Sequence, residues 1–385
     1  MLAKPFEDVQ LTDIEQLVFN RVAEGRDLEF KRELPGENDK GRKEFLADVT
    51  SFANAQGGDL IYGIAEANDD GIAGALLGID VAEPEKQLRA LDDRIRDGVE
   101  PRIPGVRLKW IALADGKYLL HARIPASVIA PHRVIVAGGA KFWSRKSNGK
   151  YEMDTQELRD AFSASDALPA RLRTLHEEAV EAERRELIPR GLVEDPKALV
   201  SVIPMQFFRV HRDLDFTREN ALMPVTPEGR VDFTYMMEGV LLSSLGGSIS
   251  NWGSYALTHF RGRIDVAWSM GLVRNEGRRD EQRFIPYQRF KDGLMDAALS
   301  SIGRLRQNGI EGPWVVLTSV LGIRHHTLVV DNDHYSQPAW RDRAVLQEVV
   351  LAQDHTPSPK DLAPVLKSFR LLFGMPPLKD PEAYL

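Results

Sequence analysis

The apolar residues of the N-terminal half change from helical to strand-like spacing within a short stretch. Phe45, Val49 and Phe52 recur at intervals of three and four, which predicts a helix with one buried face. Gly57-Gly58 should end this helix, because glycine adopts the left-handed conformation common at helix C-termini. Leu60 to Ile64 then forms an apolar run typical of a buried strand. The pattern predicts a helix that leads directly into a core strand.

Alternating helices and strands are predicted over the whole of the first 165 residues. Polar capping residues and glycine turns separate the apolar segments. The predicted elements are a helix capped by Thr12 or Asp13 and ending near Ala23, a strand over 27–31, a helix around 88–95, hairpins over 106–125 and 134–145, and a closing helix from 154 to about 162.

The second half predicts another domain of helices and strands. Strands are expected at 198–205, 262–270, 283–287, 314–321 and 327–330, and helices at 288–306, 340–352 and 361–373. Between the halves, Leu168 to Leu187 is highly charged with a narrow apolar stripe, which predicts a connector helix or part of a dimer contact. The chain is therefore interpreted as an α/β (α+β) protein with a domain over 1–165, a connector over 166–191 and a second domain over 192–385.

Composition narrows the class of protein. The chain has 385 residues, a net charge of −7 and no cysteine, which excludes disulfides and thiolate zinc sites and favours a cytoplasmic protein. No apolar run is long enough to cross a bilayer, so we expect no membrane association. The acidic balance argues against a broad non-specific DNA coat but permits a local basic groove.

The stretch Glu24-Gly25-Arg26-Asp27-Leu28-Glu29-Phe30-Lys31 carries the first candidate chemistry. Alternation along a strand places Glu29 and Lys31 on one face, opposite Leu28 and Phe30. Two carboxylates and a lysine at this spacing suit Mg²⁺ or Mn²⁺ with a phosphate beside it. The alternative is a charged strand edge that forms surface ion pairs.

Two motifs in order carry a family resemblance. "LEFKRELP" and "VTSFANAQGGDLIYGIAE", followed by the segment Asp70 to Gly74, closely resemble the Schlafen AlbA_2 domain. The resemblance covers roughly the first 165 residues. It implies three catalytic and metal-binding carboxylates, Glu24, Glu29 and Glu66, with Lys31 neutralising a phosphate oxygen. The third position is often aspartate in the family, so Asp59 and Asp69 are alternatives to Glu66.

The resemblance also implies a function. It suggests a metal-dependent endoribonuclease that cuts structured RNA such as tRNA in antiviral defence or a stress response. The alternative is a regulator that binds RNA or DNA in the same groove without cutting it. The chain lacks the G-x4-G-K-[S/T] spacing of a P-loop, which disfavours ATP hydrolysis.

Basic and aromatic residues near these motifs could line a nucleic-acid groove. Trp143 either stacks on an unpaired base or is a half-buried hairpin aromatic. The candidate groove residues are Arg26, Arg32, Lys141, Trp143, Arg145, Lys146 and Lys150.

The motif pair occurs once in the chain, whereas several eukaryotic Schlafens resemble two joined copies of this domain. A single copy offers a shallow surface, and two chains about a two-fold axis would double its basic rim. The sequence therefore predicts a homodimer with a shared groove.

Overall fold

The computed structural model divides into two compact units. Unit 1 comprises Met1–Leu168 with Phe208–Val210, and unit 2 comprises Pro169–Phe207 with His211–Leu385. The boundary lies three residues beyond the predicted end of the first domain at 165. The structure describes residues 2, 4–67, 71–138, 140–147, 149–185, 188, 196–209, 214–225, 230–244, 253–274, 277–279, 281–330, 335–353 and 356–376.

Unit 1 mixes helices with short strands, as predicted. In chain order its elements are α1 (Leu11–Phe19), β1 (Leu28–Lys31), α2 (Asp39–Asn54), β2 (Gly57–Tyr62), β3 (Ile64–Glu66), β4 (Ala73–Leu76), α3 (Pro84–Gly98), β5 (Val99–Glu100), β6 (Arg107–Ala112), β7 (Tyr118–Pro125), β8 (Arg133–Val134), β9 (Lys141–Lys146), β10 (Gly149–Glu152) and the start of α4 (Thr155–Arg184).

A four-stranded sheet in the order β1-β2-β7-β6 forms the centre of unit 1. β1 and β2 are parallel, because α2 carries the chain back to the same edge. Phe30 and Ile61 are paired in register and pack in one apolar cluster. Leu60 and Tyr62 point to the other face, into a second cluster with the buried residues of α2. The sheet is therefore covered on both faces.

The two glycines after α2 serve the strand as much as the helix. α2 ends at Asn54, and Gly57 and Gly58 are the first residues of β2, three residues earlier than the sequence predicted. Gly57 has a φ of +72°, which glycine adopts without strain. A Cβ on Gly58 would lie 2.4 Å from the Phe52 ring, so β2 approaches α2 closely only because this residue has no side chain.

A second sheet, in the order β10-β9-β8-β5, packs beside α2. The hairpin expected at 134–145 is present but short, with Arg133 and Val134 paired to Phe142 and Lys141. Arg145, the last residue of the predicted hairpin, lies in β9 as expected, and Lys146 extends the strand by one residue; both pair with β10. α1 ends at Phe19, earlier than Ala23.

Unit 2 is built on an antiparallel sheet in the order β12-β13-β14-β15-β11-β18-β21, with β22 also paired to β18. Its elements are β11 (Lys197–Pro204), β12 (Val231–Tyr235), β13 (Gly239–Ser244), β14 (Ser254–His259), β15 (Ile264–Ser269), β16 (Leu272–Arg274), β17 (Gln282–Pro286), α5 (Tyr287–Gln307), β18 (Trp314–Leu321), β19 (Thr327–Val329), β20 (Tyr335–Pro338), β21 (Arg343–Val345), β22 (Val349–Leu351) and α6 (Ala363–Leu372).

One predicted helix of unit 2 is wrong. The segment 340–352 contains the strands β21 and β22, which pair with β18. Ala344 and Leu346 are buried while Val345 is 55% exposed, an alternation that belongs to a strand. The helix was predicted from the number of apolar residues in this segment, whereas their period of two indicates strands.

α4 also differs from the prediction. The expected closing helix and connector form one continuous helix that passes through Pro169 and ends at Arg184. Its apolar stripe is already covered, because Ala179 and Val180 pack against Leu199, Tyr255 and neighbouring residues of unit 2. Residues 186, 187 and 189–191 of the predicted connector lie outside the described residues. None of the described helices is both long and apolar enough to cross a membrane.

Candidate carboxylate site and nucleic-acid interface

Glu24 lies just before β1 and is tied to the strand that follows. Its Oε1 accepts a hydrogen bond from the Phe30 backbone N–H at 2.7 Å, and its own N–H donates to the Gly71 carbonyl at 2.6 Å. Burial raises the pKa of this carboxyl group, and the nearby charges of Glu29 and Glu66 raise it further. The Glu24 carboxylate therefore belongs electrostatically with the other two predicted acids.

Glu29 is nearly buried at the centre of the site, and each of its oxygens meets a cation. Oε1 pairs with the Lys31 ammonium, and Oε2 accepts a hydrogen bond from Arg145 Nη2 at 2.6 Å. The Arg145 guanidinium also lies 3.9 Å above the centre of the Phe52 ring, which fixes its plane. Burial opposes ionisation of Glu29, but the charges of Lys31 and Arg145 outweigh it and lower its pKa.

Asp48 is a fourth carboxylate that the sequence reading missed. It lies on the buried side of α2, and its Oδ1 accepts a hydrogen bond from Lys150 Nζ at 2.6 Å. Burial and the charge of Glu29 raise its pKa to about 6, although Lys150 acts in the opposite direction. Asp48 is three residues after Phe45 and four before Phe52, so it lies on the apolar face of the helix. This spacing is the feature of the sequence that indicates a buried carboxylate.

Glu66, the third predicted acid, ends β3 and is exposed. Its Oε2 accepts a hydrogen bond from the Gly71 N–H at 3.0 Å. Because the Gly71 carbonyl binds the N–H of Glu24, one glycine links both acids. The structure thus places Glu66 near Glu24 through their shared partner Gly71.

Asp59, an alternative third acid, has a structural position instead. It pairs in register with Leu28, so its side chain points to the face opposite Glu29. Its carboxylate is fully buried and accepts hydrogen bonds from His121 Nε2 and Arg123 Nε, both at 2.8 Å. Burial opposes its ionisation, but His121 and Arg123 hold its pKa far below the usual range. Asp69, the other alternative, lies outside the described residues.

The acids as placed do not fit a shared divalent cation. Within the described ranges, no three aspartate, glutamate or histidine side chains stand close enough to hold one ion. Both Glu29 oxygens are paired with cations, and Glu24 Oε1 is bound to backbone. Lys31 and Arg145 neutralise Glu29, and Lys150 neutralises Asp48.

The predicted groove residues divide into two groups. Arg145 and Lys150 are bound to Glu29 and Asp48, so they neutralise the acids and do not face solvent as free groove cations. Arg26, Arg32, Lys141 and Lys146 are exposed. Lys141 pairs with Glu152 at 2.7 Å, and Lys146 lies 4.2 Å above the Tyr151 ring.

Trp143 matches the hairpin-aromatic interpretation. It is half-buried and packs against the apolar cluster that includes Phe45 and Phe52. Its carbonyl accepts a hydrogen bond from Asn54 Nδ2 at 2.8 Å, which joins β9 to the end of α2. Lys141 Nζ lies 5.7 Å from the centre of the indole.

A cavity of about 370 Å³ opens between the end of α2 and β9, and we call it the basic cavity. Its lining contains four cationic residues and no carboxylate; the lining residues are Arg26, Asn54, Ala55, Gln56, Ser144, Arg145, Lys146, Tyr151 and Arg209. Arg209 is the second functional candidate that the sequence reading missed. It lies outside the matched motifs, and no local pattern connects it with them.

Residues 24–154 match the family model described as "Schlafen, AlbA_2". Unit 1 contains a Schlafen AlbA_2 domain. The match begins at Glu24 and includes every residue predicted for the site from the sequence. It supports a nucleic-acid-related function for this unit.

Comparison with solved structures adds partial likenesses. The DIP2311 protein of Corynebacterium diphtheriae matches with 18% identity over 38% of this chain and 30% of its own, at a TM-score of 0.26. The N-terminal domain of a putative ATP-dependent DNA helicase RecG-related protein from Nitrosomonas europaea matches with 27% identity over 30% of this chain and 73% of its own, at a TM-score of 0.24. This chain thus spans less than a third of the length of the DIP2311 chain. No curated protein matches the chain significantly.

Proposed function

We propose that the AlbA_2 domain of unit 1 binds RNA across the surface that carries Arg26 and Lys146. The observation that carries this proposal is the basic cavity, where these exposed cations stand over a lining without carboxylates. Phosphate contacts supply most of the affinity in such complexes, so a local cationic surface suffices even in a chain of net charge −7. The preference for RNA, and for structured RNA such as tRNA, comes from the family resemblance.

Paired acids explain how an acidic chain keeps a basic surface here. The negative charges of Glu29 and Asp48 are held inside by Lys31, Arg145 and Lys150. They therefore oppose an approaching phosphate less than exposed carboxylates would. The exposed cations face an approaching nucleic-acid backbone, although Lys141 pairs with Glu152 and Lys146 Nζ lies 3.7 Å from Glu157 Oε1.

The test compares charge removal on this surface with the same removal elsewhere in unit 1. Fluorescence anisotropy of a labelled tRNA-sized hairpin would be measured with wild type and with Arg26→Gln/Lys146→Gln. The matched control is Arg102→Gln/Arg159→Gln, at two exposed positions that do not line the cavity. Each lost phosphate contact weakens binding, so we expect the first variant to bind at least tenfold more weakly. Equal weakening by the control variant would contradict a localised interface.

Cleavage of the bound RNA is a second candidate function. It is favoured by one observation: the charges of Glu29 and Glu66 both act on Glu24, with Lys31 beside them, in the order expected for the family. It requires Glu29 to leave Lys31 and Arg145, since the carboxylates as placed do not form a metal-binding set. As implied by the family, the cofactor would be Mg²⁺ or Mn²⁺ and the biological setting a cytoplasmic defence or stress response.

Purified protein incubated with total RNA and Mn²⁺ decides this second candidate. Metal-dependent products that vanish in EDTA and in the Glu29→Gln variant would establish an endoribonuclease. Asp59→Asn cannot replace Glu29→Gln as the variant in this test, because we expect the loss of the Asp59 carboxylate to disturb the fold. Binding without products in either metal would identify a non-catalytic nucleic-acid-binding regulator.

The homodimer predicted from the sequence stays a proposal with reduced support. The apolar stripe of α4 packs within unit 2, so it no longer requires a partner chain. The remaining argument is that the motif pair occurs once in the chain. Light scattering at micromolar concentration tests it, and a monomer mass that persists with RNA bound would refute it.

A further inference from the structure

The basic cavity contains a half-buried positive charge, Arg209, that hydrogen-bonds to backbone carbonyls. Arg209 Nη1 donates to the carbonyls of Ala53 at 3.2 Å and Ser127 at 2.5 Å. No salt bridge joins Arg209 to a carboxylate within the part of the chain that the structure describes. Burial lowers the pKa of its guanidinium. A guanidinium that is partly withdrawn from water and bound to backbone carbonyls favours a bound anion beside it.

Arg145 forms a second wall of the same cavity. Its side chain is 1% exposed, and Nη2 is engaged by Glu29 and by the Gly25 carbonyl. Its Nε and Nη1 atoms have no hydrogen-bond partner among the described residues. A buried donor without a partner destabilises the folded state. The Arg145 guanidinium therefore adds positive charge to the wall of the cavity while it remains bound to Glu29.

The remaining cations lie where a ligand would enter. Arg26 and Lys146 line the cavity and are exposed, so they can fold over a bound group without unfolding any element. The volume of about 370 Å³ suits a phosphate with its attached sugar, at the lower end of the range for small-molecule sites. Both the charge and the size therefore select a small anion with several acceptor oxygens.

We propose that the basic cavity binds the terminal phosphate monoester of a nucleic-acid chain. A monoester carries nearly two negative charges and three acceptor oxygens at neutral pH. An internal phosphodiester carries one charge and has a chain leaving on both sides. Guanidinium groups bind phosphate oxygens through paired, charge-assisted hydrogen bonds. This inference deepens the proposed RNA binding by naming the part of the RNA that enters the cavity.

The experiment compares ends of one oligonucleotide. Labelled RNA 12-mers with a 5′-phosphate, a 3′-phosphate or hydroxyls at both ends would be titrated by anisotropy with the full chain. We expect one phosphorylated form to bind at least tenfold more tightly than the hydroxyl form. Arg209→Gln should remove this difference, so that the phosphorylated form binds no more tightly than the hydroxyl form does to the same variant.

Additional variants and ligands complete this experiment. If Arg209→Gln does not fold, Arg26→Gln tests the same cavity through an exposed residue, and Arg102→Gln is its control outside the cavity. Nucleoside 5′-monophosphate and inorganic phosphate, each titrated calorimetrically, separate a nucleotide end from free phosphate. Binding of inorganic phosphate as tight as that of the 5′-monophosphate would overturn the nucleic-acid assignment of the cavity.

The outcomes distinguish this inference from the proposed function. Equal affinity for phosphorylated and hydroxyl ends would overturn the inference and leave RNA binding intact. Absence of binding to any RNA would overturn the proposed function. In that case the 5′-monophosphate titration still decides the inference, since no heat of binding at millimolar ligand would refute it.

Discussion

Replacing Asp48 by asparagine should stabilise unit 1 at neutral pH. The carboxyl group is buried on α2, and burial together with the charge of Glu29 raises its pKa to about 6. Keeping it ionised at pH 7 therefore costs folding free energy, even with Lys150 beside it. Asparagine has the same shape and carries no charge, so the variant avoids this cost.

The magnitude follows from the difference between the folded and ordinary pKa values. The ordinary value is 3.8 and the folded value is about 6, which at 1.36 kcal/mol per pKa unit corresponds to about 3 kcal/mol. At a pH between these two values, the folded chain holds a proton on Asp48 that the unfolded chain has released. Wild-type stability should therefore fall as the pH rises from about 4 to 6 and stay lower above that window. The asparagine of the variant cannot titrate, so the two proteins should differ little at pH 4 and most above pH 7.

Thermal unfolding of the full chain from pH 4 to 8, followed by circular dichroism, measures this difference. We expect the variant to unfold roughly 6–12 °C higher than wild type at pH 8, at about 2–4 °C per kcal/mol for a unit of this size. Asp92→Asn, at an exposed position of α3, is the matched control and should leave the pH profile unchanged. A variant that is less stable than wild type at pH 8 would refute the assignment of a strained, buried carboxylate.

Three further substitutions test other parts of the structure. Arg145→Met should lower the free energy of unfolding by about 3–5 kcal/mol, because it leaves Glu29 partly unpaired. Urea denaturation measures this loss. If adding Glu29→Gln to the variant does not restore stability, the unpaired Glu29 is not the cause. Asp59→Asn should lower the free energy of unfolding by a similar amount above pH 4 and by less in acid, because the Asp59 carboxylate, whose pKa is lowered in the fold, stabilises the fold only while it is ionised. A loss of stability that does not change with pH would contradict this reasoning. Gly58→Ala should destabilise by about 1–3 kcal/mol, because its Cβ would meet the Phe52 ring, and an unchanged denaturation midpoint would show that the ring yields freely.

Local patterns predicted much of unit 1. The last four residues of the E-x4-E-x-K run form β1, and alternation correctly separates Glu29 from Leu28. The apolar period of α2 also predicted its buried face, whose residues pack against β2 and β7 of the central sheet. These features depend on neighbours within a few residues along the chain.

The features that the sequence did not reveal depend on contacts between distant residues. Arg145 meets Glu29 across 116 positions and Lys150 meets Asp48 across 102, so no local pattern shows that these cations neutralise acids. Arg209 reaches Ala53 from 156 positions away. In unit 2, the strands β12, β13 and β14 were missed because their pairing partners, rather than their own periodicity, define them.

The salt dependence of RNA binding by the full chain tests the central claim most directly. Contacts from about four exposed cations to single-stranded phosphates should give a slope near −3 in a plot of log affinity against log salt concentration. We therefore expect the affinity for a labelled RNA to fall by about 50-fold between 50 and 200 mM salt. A slope near zero, or no binding at 50 mM salt, would contradict a nucleic-acid interface on unit 1.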